Sequence, residues 1–146
     1  MQATQVQIVL SSHVNGIGRL FGGQLMSWID VTGAVAARRF CKSEVVTLTV
    51  DRLQFFKGVR MNQTLELDAR VTWAGRTSME VRVDTYVDPL TGERELVNRA
   101  YLVCVAVDRH GNKVAVPPFV PQTEEEIQEY EAAKQRRALR LAEAGR

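Results

Sequence analysis

Asp30 is the residue of this sequence whose surroundings point most directly to chemistry. It lies between Ile29 and Val31 in a segment with a helical pattern. Aspartate is a poor helix former because its side chain competes for backbone hydrogen bonds. A carboxylate in a partly dehydrated site must be paired with a hydrogen-bond donor or a cation. Otherwise its pKa rises and it can act as a general base. A solvent-facing aspartate on a polar helix face is the alternative interpretation.

A glycine-rich segment precedes this predicted helix. Residues 15–23 read NGIGRLFGG and end in the pair Gly22 and Gly23. Glycine lets a ligand approach the backbone closely, and the first N–H groups of a helix are unpaired at the positive end of its dipole. They can bind an anion, or an oxyanion that develops during a reaction. The alternative is a glycine-rich turn alone. No GxxxxGKS or GxxxxGKT pattern supports a phosphate-binding loop.

The charge balance and the cysteines exclude several classes of function. A net charge of +2 is too small for a dedicated nucleic-acid surface, although it suits a modest anionic ligand. Cys41 and Cys104 form no CxxC pair, and no histidine pair has metal-ligand spacing, so we expect free thiols and no metal site. We interpret His13 and His110 as loop and turn residues. No GxSxG elbow accompanies them, which disfavours Ser-His-Asp catalysis.

The hydrophobic period changes along the chain. From Gly23 to about Phe40 the apolar residues recur with the period of a helix, and after that they recur every second residue, as in a strand. The link over 74–77 is short and contains Gly75, which predicts an antiparallel hairpin. One long helix followed by a meander of four or five antiparallel strands predicts an α+β domain. The expected strands are Val6–Leu10, Val45–Phe56, Thr64–Trp73, Ser78–Val87, Leu96–Asp108 and a short last strand near Val114–Val116.

The predicted long helix has two faces, and we expect each of them to be covered by protein. A sheet can cover only its apolar face, while the other face is small and polar. We therefore infer that a second subunit covers that other face, which predicts a homodimer. The apolar face contains Leu25, Trp28, Ile29, Thr32, Val35, Ala36 and Phe40, and the small and polar face contains Gly23, Ser27, Asp30, Ala34, Ala37 and Arg38.

The length of the chain indicates one domain. It has 146 residues, of which 45% are hydrophobic. We expect the domain over 1–122 and a polar C-terminal helical tail over 123–146, where Thr123 and Glu126 form a capping box. No apolar run approaches the ~18–20 residues that span a bilayer, and no secretory signal is visible. These observations predict a cytoplasmic location.

Several short motifs stand in a characteristic order. They are Asn15-x-x-Gly18-x-x-Phe21-Gly22-Gly23, Trp28-Ile29-Asp30, Val46-Thr47-x-x-Val50-Asp51 with Phe55, Gly75-Arg76-Thr77-Ser78 and Val105-Ala106-Val107-Asp108. This set resembles the acyl-CoA hydrolase branch of the hotdog-fold thioesterases over about residues 6–120. The resemblance implies an antiparallel β-sheet wrapped around one long central helix. It also implies edge-to-edge homodimers that often assemble into trimers of dimers and bind ligand between protomers.

The resemblance implies hydrolysis of an acyl-CoA thioester to a free fatty acid and CoA. Asp30 would act as general base or as nucleophile, with Asn15 contributed by a neighbouring subunit. Backbone N–H groups around Gly22 and Gly23 would form the oxyanion hole. Thr47 would hydrogen-bond Asp30 or the attacking water.

The same resemblance suggests which residues bind the substrate. Arg76, Thr77 and Ser78 are candidates for contacts to the CoA phosphates or the pantetheine arm, since a guanidinium fork suits phosphate. A polar hairpin turn is the alternative. Phe21 and Gly22 at the helix start and Lys57 complete the predicted substrate-binding residues. CoA is part of the substrate, so no separate cofactor is expected, and neither nucleic acid nor a membrane span is expected.

Two other functions remain open. A hotdog dehydratase acting on hydroxyacyl thioesters generally needs a histidine with an acidic residue, and no histidine is close to Asp30 in the sequence. A non-catalytic acyl-CoA-binding or sensing module would keep the pocket without a base. Release of free thiol would separate an enzyme from a binding module, and an enoyl product would identify a dehydratase.

Overall fold

A computed structural model describes residues 2–145 of the chain. Five strands form one sheet in the order β1-β3-β4-β5-β2, and every neighbouring pair is antiparallel. The expected α+β architecture is confirmed. The elements are β1 (Gln2–Ile8), α1 (Gly22–Cys41), β2 (Glu44–Phe55), β3 (Thr64–Ala74), β4 (Ser78–Asp88), β5 (Glu95–Val107) and α2 (Glu124–Ala144).

Helix α1 crosses one face of the sheet, which we call the inner face. Leu25 and Ile29 are fully buried on it, as the helical period predicts. Gly33 allows a close approach, because a Cβ there would lie 3.0 Å from a methyl group of Leu102. Ala37 is also buried, so the prediction that it faces away from the core was wrong. The small side chains at positions 33, 36 and 37 bring the helix so close to the strands that its buried stripe is wider than expected.

The strands pack their apolar side chains against α1. Burial alternates along β3, whereas β5 is buried on both faces over much of its length. The burial of both faces fits an interior strand, and β5 lies between β4 and β2. The inner face is formed mainly by Leu65, Leu67, Ala69, Met79, Val81, Val83, Ala100, Leu102, Cys104 and Ala106.

Two strand predictions require correction. The first strand spans Gln2–Ile8 rather than Val6–Leu10, because its full length pairs with β3 even though its early residues are polar. The expected strand near Val114–Val116 does not form. The Val114 N–H donates to Ala106, while the Val116 N–H donates to Arg76 in the β3–β4 link. These bonds go to different partners, and Pro117 and Pro118 have no N–H with which to continue a ladder.

Helix α2 covers part of the opposite, outer face of the sheet. The predicted helix start is observed, since the Thr123 side chain accepts a hydrogen bond from the Glu126 N–H at 3.1 Å. Arg136 on this helix is buried and donates two hydrogen bonds to the buried carboxylate of Glu80 on β4. The C-terminal helix is therefore joined to the sheet largely by charged groups. Within residues 2–145, neither helix is long and apolar enough to cross a membrane.

Candidate active site

Asp30 and Thr47 meet where α1 passes the edge strand β2. The Thr47 Oγ1 donates a hydrogen bond of 2.7 Å to Asp30 Oδ1, and both residues are half-buried. This contact agrees with the predicted bond between Thr47 and Asp30. Thr47 takes one acceptor site on Oδ1, so the second carboxylate oxygen of Asp30 is the freer of the two for a ligand.

A bulge in β2 positions Thr47. Thr47 pairs with Cys104 on β5 and Thr49 pairs with Val103, so Leu48 is an additional residue in the ladder. Such a bulge changes the direction of neighbouring side chains and is frequent beside active sites. Here Leu48 is left 60% exposed, while Thr47 contacts the helix.

An open groove of about 490 Å³ lies along this contact. It combines a carboxylate and hydroxyl groups with apolar side chains, which suits a ligand that has a reactive polar group on an apolar chain. Gly23, Ser27 and Asp30 belong to the small and polar helix face identified from the sequence. The groove is lined by Gly23, Met26, Ser27, Asp30, Thr47, Leu48, Thr49 and Val50.

The start of α1 offers unpaired backbone donors at one end of this groove. Phe21 is the N-cap residue, and no side chain caps the helix there. Its carbonyl accepts from the Leu25 N–H at 3.1 Å, so the N–H groups of Gly22 and Gly23 have no intrahelical acceptor. Apart from its chain neighbours and the helix backbone, no heavy atom lies within 4 Å of the position that a Cβ on Gly23 would occupy. A ligand can therefore come close to the start of the helix at Gly23.

Asn15 lies in the preceding loop and does not line the groove of its own chain. Its Oδ1 accepts hydrogen bonds from the N–H groups of Ile17 at 3.0 Å and Arg19 at 3.1 Å. The side-chain oxygen of Asn15 is thus used to hold the loop. The amide nitrogen is the group left to act on a ligand.

The predicted substrate-binding residues are not all brought together. Thr77 and Ser78 line a cavity of about 390 Å³ on the outer face of the sheet, beside α2, but exposed Arg76 does not line it. The cavity also contains Arg137 of the C-terminal tail and Lys113, and sequence reasoning did not single out Lys113.

Two further predicted residues lie elsewhere. Lys57 is exposed and forms an ion pair of 3.2 Å with Glu95. Phe21 lies at the helix start and is half-exposed.

The groove contains residues that the sequence interpretation missed. Leu48 and Thr49 enter it through the bulge, for which the sequence has no recognisable signal. Met26 had a weak signal, since it flanks the small and polar face of the helix. Within the described part of the chain, no group of three or more His, Cys, Asp or Glu side chains could hold a metal ion.

A long helix on an antiparallel sheet, with a carboxylate and free N–H groups along one groove, matches the hotdog thioesterase architecture expected from the motifs. The model of the thioesterase superfamily matches residues 17–91. A Bacillus subtilis protein described as an uncharacterized acyl-CoA thioester hydrolase is 44% identical over 88% of this chain and 75% of its own length. This chain belongs to the thioesterase superfamily, and the predicted acyl-CoA hydrolase branch is confirmed. The chain spans only 24% of a mouse acetyl-coenzyme A thioesterase that is 35% identical to it.

Solved structures agree with this assignment. A hexameric acyl-CoA thioesterase crystallised without ligand superposes with a TM-score of 0.92 at 40% identity, over 98% of this chain and 92% of its own. A Staphylococcus aureus acyl-CoA hydrolase in complex with butyryl coenzyme A, coenzyme A and coenzyme A disulfide also has a TM-score of 0.92. It is 31% identical over 98% of this chain and 88% of its own.

Three variants of the S. aureus hydrolase replace an asparagine, an aspartate and a threonine by alanine. In that protein the asparagine precedes the aspartate by 15 residues, and the aspartate precedes the threonine by 17 residues. Asn15, Asp30 and Thr47 are separated by the same two intervals in this chain.

Proposed function

We propose that this protein hydrolyses acyl-CoA thioesters to a free fatty acid and CoA, with Asp30 as the group that drives the reaction. The observation that carries this proposal is the Asp30 carboxylate, held by Thr47 at 2.7 Å in a groove that reaches the start of α1. The matching intervals in the S. aureus variants support the same three residues. No separate cofactor takes part, and we keep the cytoplasmic location as a prediction.

In the proposed reaction the thioester carbonyl lies against the start of α1. The N–H groups of Gly22 and Gly23 stabilise the negative charge that develops on its oxygen. Asp30 takes a proton from water, whose oxygen bonds to the carbonyl carbon. The carbon–sulfur bond then breaks, and the proton held by Asp30 passes to the CoA thiolate, which restores the carboxylate. Alternatively, Asp30 attacks the carbonyl carbon directly and gives an anhydride, which water then hydrolyses. This route uses the same groups of the site.

We propose that a neighbouring subunit completes the site. The edge strand β2 and the adjacent face of α1 carry the exposed apolar side chains Met26, Val31, Val46 and Leu48, which a second subunit would cover. A homodimer paired through β2 would bring the partner's loop to the groove, and its asparagine at position 15 would donate to the carbonyl or the water. The hexameric relative supports a further assembly into a trimer of dimers.

The CoA phosphates require positive charge, which we assign to the hairpin that carries Arg76, Thr77 and Ser78. Lys113 and Arg137 line the same outer cavity as Thr77 and Ser78 and would add to it. Lys57 is the weaker candidate because Glu95 already neutralises its ammonium group.

The dehydratase alternative has little support in the geometry. The Nδ1 of His13 accepts from the Leu10 N–H at 3.0 Å, and its ring packs edge-on against Trp28. His13 is therefore used in the loop, and neither histidine lines the groove.

The experiment that tests the proposed function is thiol release from acyl-CoAs of two to sixteen carbons by the wild-type protein. We expect release of one thiol per free acid formed, with a preferred chain length. Binding of acyl-CoA without thiol release would identify a binding module instead, and an enoyl-CoA product would identify a dehydratase.

Replacing Gly22 by proline tests the oxyanion hole. Phe21 has φ −63° and ψ 134°, a conformation that suits a residue before proline, and proline is well tolerated at the first position of a helix. Gly22→Pro therefore removes one N–H with little strain, and we expect kcat to fall by about 100- to 1000-fold.

The matched control is Gly22→Ala, which keeps the N–H. Its Cβ would lie 3.9 Å from the Phe55 ring, an ordinary contact, so we expect kcat within about threefold of wild type. Equal kcat values for the proline and alanine variants would show that the Gly22 N–H does not stabilise the transition state.

A further inference from the structure

Cys104 lies directly behind the Asp30–Thr47 contact. It is on β5, opposite Thr47 in the β2–β5 register, and it is fully buried. Its Sγ lies 3.9 Å from Thr47 Oγ1, within the range of a hydrogen bond to sulfur. The thiol thus contacts the same hydroxyl group that holds Asp30.

The protons in this chain of contacts have only one consistent arrangement. The Thr47 hydroxyl has a single proton, which it donates to Asp30 Oδ1, so its oxygen can only accept from Cys104. Burial raises the pKa of the Cys104 thiol to about 11, so its proton is present near neutral pH. The S–H group is therefore the donor, and Thr47 accepts from it.

We propose that Cys104 is a positioning residue for the hydrolysis of the thioester. Its S–H donates to Thr47 Oγ1 and keeps the Thr47 hydroxyl directed at Asp30, and this role rests on the proposed function of Asp30. The bulge at Leu48 disrupts the ladder beside Thr47, so a side-chain contact from β5 adds to what holds Thr47 in place. The thiol also polarises the hydroxyl, which strengthens its bond to the carboxylate.

The chain offers a matched control in Cys41. This second cysteine is also buried, and its Sγ donates to the Ser43 carbonyl at 3.7 Å. Cys41→Ala and Cys104→Ala each remove one buried sulfur, from the last residue of α1 and from β5 respectively. They differ in that only Cys104 contacts Thr47.

The first measurement compares kcat and KM for the two alanine variants, after melting curves confirm that both are folded at the assay temperature. We expect Cys104→Ala to lower kcat by about three- to tenfold, the effect of one weak hydrogen bond, with KM little changed. Cys41→Ala should keep the wild-type kcat. Equal kcat values for the two variants overturn the inference.

The second measurement asks whether Cys104 acts through Thr47. In a Thr47→Val background, Cys104→Ala should cause no further loss of kcat, because the hydroxyl that it positions is gone. An undiminished loss in that background overturns the inference. Cys104→Ser, which keeps a donor but places a polar group in the core, should have a higher kcat than Cys104→Ala. A serine variant no better than alanine contradicts donation by this side chain.

The proposed function is tested separately in the same assay. Absence of thiol release by the wild-type protein would overturn both the proposed function and this inference. Release by the wild-type protein with identical kcat values for Cys104→Ala and Cys41→Ala would overturn the inference alone.

Discussion

Replacing Asp30 by asparagine is expected to lower kcat for acyl-CoA hydrolysis by about 1000-fold or more, as loss of the base or nucleophile requires. Asparagine has nearly the same shape, and its Oδ1 can still accept the hydrogen bond that Thr47 donates to Asp30 at 2.7 Å. The fold and the groove should therefore persist while the charge and the basicity disappear. The measurement is thiol release at saturating acyl-CoA, with the oligomeric state checked by light scattering.

A carboxylate remote from the groove provides the control. Asp68 lies on the outer side of β3 and pairs with Arg94 at 2.7 Å. Asp68→Asn removes the same charge, and we expect kcat within about twofold of wild type, as for surface substitutions generally. If Asp30→Asn kept more than a tenth of the wild-type kcat, Asp30 would have neither of the proposed roles.

The second large effect concerns stability. Arg136 donates to Glu80 at 2.8 and 2.9 Å and to Glu129 at 2.6 Å, and its guanidinium group stacks on the Tyr101 ring. Glu80 is only 1% exposed. Without Arg136, the buried carboxylate of Glu80 loses its two short ion-pair hydrogen bonds and keeps one longer ion pair, to Arg140 at 3.3 Å. A buried charge that has lost its main partner is strongly destabilising. Arg136→Met is therefore expected to lower the free energy of unfolding by about 3 kcal/mol, the lower end of the range for breaking a buried ion pair.

The pKa of Glu129 reflects the same network. Burial raises this pKa, but hydrogen bonds from Tyr101 and Arg136 outweigh burial and keep it below its ordinary value. Losing Arg136 removes one of these bonds, which adds to the destabilisation near neutral pH.

Arg137 provides the matched control for this prediction. It is the next residue on α2, and its guanidinium group stacks over Trp73 at 4.8 Å. We expect Arg137→Met to cost less than about 1 kcal/mol, since cation–π contacts at exposed sites contribute about that much. Urea unfolding at one fixed protein concentration measures both variants. Equal losses for the two variants would show that the buried pair does not hold α2.

A double variant separates the interaction between Glu80 and Arg136 from the contribution of each side chain to stability. Glu80→Gln with Arg136→Met removes both charges, so the loss should be smaller than the sum of the two single losses. An additive loss would mean that the two side chains contribute independently.

Helix α1 and the β3–β4 hairpin could be predicted from the sequence because their apolar residues recur with clear helix and strand periods. The spacing of Leu25 and Ile29 identifies the buried face, and Asp30 falls on the other face. Alternation over β3 and β4, with the short link at Gly75, determines the hairpin. The ordered motifs combined Asn15, Asp30 and Thr47 in one predicted active site, which the hydrophobic periods alone did not do.

The remaining features depend on contacts between distant residues. The bulge at Leu48 and the neighbour of Thr47 on β5 are tertiary features without a local pattern. The sequence predicts a polar C-terminal helix, but Arg136 on this helix is buried because Glu80 on β4 faces it. A charged residue in a strand and another in a helix do not reveal from sequence that they pair.

Mixed assemblies of two inactive variants test most directly whether the site lies between subunits with Asp30 and Asn15 from different chains. Asn15→Ala and Asp30→Ala are mixed in equal amounts, unfolded together and refolded. A heterodimer then has one site with an intact Asp30 and an intact asparagine from its partner. Random pairing should recover about a quarter of the wild-type thiol release for a two-fold symmetric dimer. No recovery from correctly assembled mixtures would place both residues in a site within one chain and contradict this account.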